Sequence, residues 1–181
     1  MKWTLKLLLL NIFVFFLETL FPNLIYFLGF VPALFPYEPW RIVTSLFVHA
    51  NFTHLFYNML ALFFFGLHFE SKYGSKNFLT VYFLSGILGN LAYFILDPSS
   101  TIIGVGASGA IYGIIGALAI LEPFTIVYIN LIPVPLIVVA FFWLLLNFLG
   151  IFYPFSNVGY LAHLIGLIVG FIYGLFLKKF S

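Results

Sequence analysis

Six long apolar stretches dominate this chain. They run Leu5–Phe21, Thr53–Phe69, Phe78–Leu96, Ser108–Leu121, Pro135–Ile151 and Gly159–Leu177. A helix that crosses the hydrocarbon core of a bilayer needs about 20 apolar residues. Of the 181 residues, 64% are hydrophobic and only 7% are charged, where a soluble domain carries about 25% charge. That balance excludes a soluble enzyme, a nucleic-acid binder and a disordered chain. Cysteine is absent, which removes disulfides and thiolate chemistry. No unbroken period-two alternation suggests a β-barrel. The expectation is an all-α membrane protein of six transmembrane helices forming a single domain over residues 1–181. The fourth stretch is short. The start of the fifth is open, because an apolar lead-in, Phe124–Val134, is broken by Pro133 and Pro135. The first follows Lys2 and Lys6 as a signal peptide would, but no small-x-small cleavage site follows it. It is read as a span.

The lysines set an expected topology. Lys2 and Lys6 stand at the start of the first stretch, Lys72 and Lys76 between the second and third, and Lys178 and Lys179 after the sixth. In a six-span chain all of them share one side, and Arg41 lies on the other. The positive-inside rule then places both termini in the cytoplasm. The first outer loop, Pro22–Phe52, is rich in aromatics and prolines, and its apolar Leu24–Leu34 is too short to cross. It reads as a structured segment lying in the interface.

Polar side chains within lipid are costly and ask for a reason. His49, His54, Asn58, His68, Asn90, Ser108, Asn147 and His163 are the candidates. Asn90 and Asn147 are assigned to ordinary bonding between helices, His68 to the interface beside Glu70, and His49 to a structural hydrogen bond. Depth separates the others. Ser108 lies 14 residues above Glu122, Asn58 lies 14 above Lys72, and His163 lies 15 above Lys178. At 1.5 Å per residue, each stands about 21–22 Å from the lysine-bearing side. Three polar groups on three helices thus share a level, with His54 one turn above Asn58 on the same face.

A serine hydroxyl becomes a nucleophile when an imidazole takes its proton. Ser108 and His163 are the candidate pair. None of the five acids (Glu18, Glu38, Glu70, Asp97, Glu122) falls within the fourth or sixth stretch, so the pair is read as a dyad. Tyr112, one turn below Ser108, could stack on the imidazole. Gly166, Gly170 and Gly174 continue the His163 face, and Gly109, Gly113 and Gly116 follow Ser108. Small residues on both helices allow close approach. The Ser108 amide at the helix start, with the His54 and Asn58 side chains, could donate to an oxyanion.

These residues resemble the rhomboid family of intramembrane serine proteases. Trp40-Arg41 looks like its Trp-Arg element. His49, His54 and Asn58 repeat its H-x4-H-x3-N spacing. Gly106-Ala107-Ser108-Gly109 with Tyr112 matches its G-x-S-G nucleophile motif, and Ala162-His163-x2-Gly166-x3-Gly170 its last-span motif. The resemblance implies Ser108 as nucleophile, His163 as general base, and His54, Asn58 and the Ser108 amide as the oxyanion hole. It also implies a fourth span that begins below the outer surface, under a water-filled cavity. Lateral substrate access past the fifth span is implied as well, with Tyr57 and Trp143 as gate residues. The chain looks like the minimal six-span form, which suggests a prokaryotic plasma membrane. Transmembrane protein substrates and the bilayer are the expected partners, with no cofactor and no metal. An inactive, client-binding relative is the alternative, disfavoured by the presence of both Ser108 and His163. A transporter should show mid-span charge or repeated halves. A zinc site on His54 and His163 lacks the third protein ligand of a catalytic centre.

Overall fold

The computed structural model describes residues 1–153 and 159–179. Among them eight α-helices follow in order: α1 (Trp3–Leu20), α2 (Leu24–Leu28), α3 (Arg41–Thr44), α4 (Phe52–Ala61), α5 (Leu67–Leu96), α6 (Ser108–Leu121), α7 (Leu136–Phe152) and α8 (Tyr160–Lys179). A π-helical turn, Leu62–Gly66, joins α4 to α5. Each apolar stretch coincides with helix. The second comprises α4, the π turn and the start of α5, and the third is the part of α5 beyond Gly74. Gly74 is not helical (φ 84°, ψ 159°), and there the chain turns back on itself. A side chain on Gly66 would meet both Thr4 and Phe78, so the segments before and after the turn lie side by side. Among the described residues, Trp3–Leu20, Phe52–Leu96 and Tyr160–Lys179 are long and apolar enough to cross a membrane, and α6 and α7 are shorter apolar helices.

The centre of the molecule is α6. Ten of its 14 residues are buried. It packs most extensively against α8, and both lie on α5. Lipid tails are as apolar as leucine, so helices in a bilayer gain little from hydrophobic burial and rely on close van der Waals contact. Glycine supplies that contact here. A Cβ on Gly166 would collide with the Gly109 carbonyl oxygen, and one on Gly170 with the Gly113 carbonyl oxygen. The two backbones touch at successive turns, which fixes the register of α8 on α6.

Two carboxylates fasten the lysine-bearing end. Glu70 accepts from the Trp3 and Thr4 amides (both 2.8 Å), the Thr4 hydroxyl (2.7 Å) and the Ser75 hydroxyl (2.6 Å). It caps the first turn of α1 from another helix, where helix amides lack internal acceptors and the dipole favours an anion. Glu122, just past α6, accepts from the Tyr73 hydroxyl (2.9 Å) and pairs with Lys72 (3.2 Å) and His68 (3.0 Å). His68, read as interfacial, is half exposed here, and its partner is Glu122. Burial pushes both carboxyls up, but donors outweigh it. Ser75, Thr4 and Trp3 hold Glu70 below the usual range, and His68, Tyr73 and Lys72 do so for Glu122.

The lead-in to α7 differs from the sequence reading. Residues 126–135 form an antiparallel hairpin, β1 (Ile126–Ile129) with β2 (Ile132–Pro135), in which Ile129 pairs with Ile132. Asn130 and Leu131 make the turn with positive φ (48° and 69°), as the tight two-residue hairpin turn requires. Helix α7 then starts at Leu136, after Pro135. The hairpin is closed at its base by Leu136 N–H to Thr125 O (2.9 Å).

The first loop is structured as expected. Phe30 and Val31 are buried. Buried Arg41 donates to the carbonyls of Tyr26 (2.6 Å) and Gly29 (2.9 Å) and pairs with Glu38, while Trp40 stays exposed. Phe30 and Gly104 exchange both backbone hydrogen bonds (2.8 and 2.7 Å). The loop is thereby joined to the segment before α6.

Gly170→Val should lower unfolding stability by about 1–3 kcal/mol or more, as overpacking does, in thermal denaturation of the detergent-solubilised protein. Gly159→Ala, where a Cβ meets only ordinary contacts, should leave it unchanged. A carboxyl depressed in the folded state stabilises above its unfolded pKa, and that contribution fades as pH falls through the folded value. Stability should therefore drop on acidification below the ordinary glutamate range. Glu122→Gln should be less stable near neutrality and lose part of that acid dependence.

Candidate active site

Ser108 opens α6. The chain reaches it through Gly106, held at φ 112° by donation of its amide to the Ser45 carbonyl (2.9 Å). Glycine is required there twice over. The left-handed backbone disfavours other residues, and a Cβ would sit 2.7–2.8 Å from the His54 ring. Helix bonding begins only with Ile111 N–H to Ala107 O (3.0 Å). The amides of Ser108, Gly109 and Ala110 thus have no acceptor within the helix.

The Ser108 hydroxyl and His163 Nε2 are 2.7 Å apart. The register of α8 on α6 makes this meeting, since Gly166 rests on Gly109 one turn away. The Tyr112 ring stacks on the imidazole, with centroids 4.4 Å apart and planes at 12°. Trp143 packs behind Tyr112 at 5.4 Å. His163 is buried, and its Nδ1 faces Asn147 Oδ1 at 3.2 Å.

His54 lies against Gly106, on the Ser108 side of α4. Asn58 is buried, and its amide nitrogen donates to the His54 carbonyl (2.8 Å). One of its two N–H groups is thereby committed to its own helix and the other remains. Asn58 and Ser108 line one cleft of about 370 Å³ between α4 and α7, together with Tyr57, Tyr112 and Trp143. Tyr57 and Trp143, named from the resemblance as gate residues, both line this cleft. Trp40 and Arg41 lie in the first loop, away from the cleft lining.

His49 is buried, with the Phe47 backbone facing its ring. It acts through its ring, edge-on to His54 at 5.1 Å, and through its amide, which donates to Glu18 (3.3 Å). Burial, and then the neighbouring His54, hold its pKa down to about 3, so it stays neutral and serves as a wall for His54. Among the described residues no group of three or more His, Asp or Glu side chains could hold a metal ion.

Three residues shape the site without having been assigned to it. Ser45 holds Gly106. Asn90 donates to Ser45 Oγ and to the Ile42 carbonyl (both 2.9 Å), which ties α5 to α3 in the first loop. Asn147 meets the candidate base. Both asparagines were visible as polar residues in apolar stretches, but their partners lie far away in sequence. Ser45 gave no signal.

A family model described as Rhomboid domain matches residues 36–180. The chain belongs to the rhomboid family. It is an all-α integral membrane protein of a family of membrane proteases. It is 43% identical over 91 residues to Rhomboid-like protease 3 of Toxoplasma gondii, covering 50% of this chain and 34% of that protein. It is 36% identical over 135 residues to Rhomboid protease GluP of Bacillus subtilis, covering 74% and 25%. It is also 39% identical over 82 residues to Inactive RHOMBOID-like protein 8 of Arabidopsis thaliana, covering 45% and 23%. The chain thus spans about a third or less of the length of these three relatives.

Gly106→Ala should drive His54 off the turn and cut labelling of Ser108 by a fluorophosphonate probe at least about tenfold, the scale of losing an oxyanion donor. Gly104→Ala, which has room for the added carbon, should label at the unmodified rate.

Proposed function

We propose that this rhomboid is an active intramembrane serine endopeptidase that cuts peptide bonds in or near the transmembrane segments of other membrane proteins. The observation that carries this reading is the 2.7 Å contact between Ser108 Oγ and His163 Nε2, placed beside uncommitted helix amides. In the reading, Ser108 Oγ attacks the scissile carbonyl carbon while its proton passes to His163 Nε2. The carbonyl electron pair moves onto oxygen, which is met by the Ser108 amide and by His54 and Asn58 donors. Collapse of the intermediate breaks the C–N bond, and His163 returns the proton to the leaving amine. Water then repeats the cycle on the acyl-enzyme, and Ser108 is regenerated. The cleft lined by Tyr57 and Trp143 is the path by which a substrate segment leaves lipid for the site. A helical substrate hides its carbonyls in its own hydrogen bonds, so helix-destabilising residues near the cut should favour cleavage.

The proposed topology is six spans forming one domain, with both termini in the cytoplasm and Ser108 toward the opposite side. Its support is the lysine distribution and the contacts of Glu70 and Glu122, which gather the ends of α1, α5 and α6. The family also contains a relative named as inactive. A client-binding role without cleavage would leave the Ser108–His163 hydrogen bond without a purpose.

The test is cleavage of a model transmembrane substrate by purified protein in detergent or liposomes. Ser108→Ala should abolish it and His163→Ala should lower it by at least about 10³-fold, as loss of a catalytic base does. Asn58→Ala should reduce kcat by roughly 10–10³-fold with little change in KM. Cleavage persisting in Ser108→Ala would overturn the assignment.

A further inference from the structure

A dyad leaves one end of its imidazole unexplained. A buried histidine has two neutral tautomers, and only one of them is a base toward Ser108. Which nitrogen carries the proton is set by what faces the other. The structure assigns that task to Asn147: we propose that it is a positioning residue that holds His163 as the Nδ1–H tautomer and so completes a Ser108–His163–Asn147 relay.

The amide of Asn147 is itself oriented. Its Nδ2 donates to the Trp143 carbonyl one turn earlier in α7 (2.8 Å), and the amide lies beside the Tyr112 hydroxyl. This turns Oδ1 toward His163 Nδ1, 3.2 Å away. A carbonyl oxygen accepts and cannot donate, so the hydrogen must sit on Nδ1. Nε2 then presents its lone pair to the Ser108 hydroxyl. In the other tautomer two lone pairs would face each other across the Asn147 contact, and a protonated Nε2 could not accept the serine proton. Both partners are buried, Asn147 at 4% and His163 at 9% relative exposure, which limits the ability of water to substitute.

The setting in α7 argues in the same direction. Asn147 is the one residue of that helix that is neither apolar nor glycine. An amide in lipid is costly unless it is hydrogen-bonded. Bonding to Trp143 satisfies only its nitrogen; the oxygen needs a donor, and His163 supplies one. The orienting role that a carboxylate fills in other serine hydrolases is filled here by a neutral group. That fits a chain with no acid in α6, α7 or α8.

The inference rests on the protease reading for its kinetic consequences, but the tautomer can be read without substrate. The variants are Asn147→Leu, which keeps volume and removes the acceptor, and Asn147→Asp, which keeps the acceptor and adds charge. Nitrogen NMR of ¹⁵N-histidine-labelled protein, with His163 assigned from His163→Gln, should show Nδ1 protonated and Nε2 bare in the wild type near neutral pH. In Asn147→Leu the signals should move toward the Nε2–H form. In cleavage, Asn147→Leu should lose about 10–10²-fold in kcat with KM changed less than about twofold, a loss of orientation rather than binding. Asn147→Asp should recover most of that loss and move the acid limb of the kcat profile upward by about a pH unit, because an anion beside Nδ1 favours imidazolium. An unchanged His163 tautomer in Asn147→Leu would overturn the proposal. So would equal losses in both variants with an unshifted pH profile, which would mark Asn147 as helix-packing glue. If Asn147→Leu fails to fold, Asn147→Asp alone decides through its pH profile. A folded wild type that shows the tautomer and cleaves nothing would count against the protease reading and leave the positioning role standing.

Discussion

Direct contact between the backbones of α6 and α8 governs this structure. Two helices that met through leucines would stand 8–10 Å apart or more, and their side chains would decide the register loosely. Here carbonyl oxygens of Gly109 and Gly113 occupy the space where side chains of Gly166 and Gly170 would be. Sliding or rotating one helix against the other meets backbone atoms, which do not yield as side chains do. Ser108 and His163 are 55 positions apart in sequence, and their 2.7 Å contact inherits its precision from this seam.

A second brace comes from the first loop. Arg41 gathers the carbonyls at the end of α2, Phe30 pairs with Gly104, and Ser45 receives the Gly106 amide. Asn90 in turn holds Ser45 from α5. A loop that sequence alone places at the membrane surface thus sets the backbone angle of the turn into Ser108. The geometry around the serine amide depends on groups that never touch the serine. Arg41 has this indirect role, while neighbouring Trp40 remains on the surface.

The helices were legible because lipid leaves so few choices: a chain with long apolar runs and little charge must satisfy its backbone within each run. Ser108, Asn58 and His163 stood out because their spacing placed them at one depth, with Tyr112 one turn below Ser108. The hairpin was not, because Ile126, Val127, Tyr128 and Ile129 are apolar on both faces and show no alternation, and the turn at Asn130-Leu131 lacks the glycine that commonly announces one. The role of Asn147 was hidden because a lone asparagine in an apolar helix has the same appearance whether it joins two helices or orients an imidazole. Only the identity of the atom opposite its oxygen separates the two.

The shortness of α6 has a bearing on how such a protein is made. Fourteen residues rise about 21 Å, well under the roughly 30 Å of a bilayer core. A segment of that length, rich in glycine, is a poor candidate for insertion on its own. It needs α5 before it and α8 after it to shield its ends. His163 is synthesised 55 residues after Ser108, so the contact between them forms only once α8 has joined α6. Closure of the buried face around Ser108 therefore waits on assembly of the last helix.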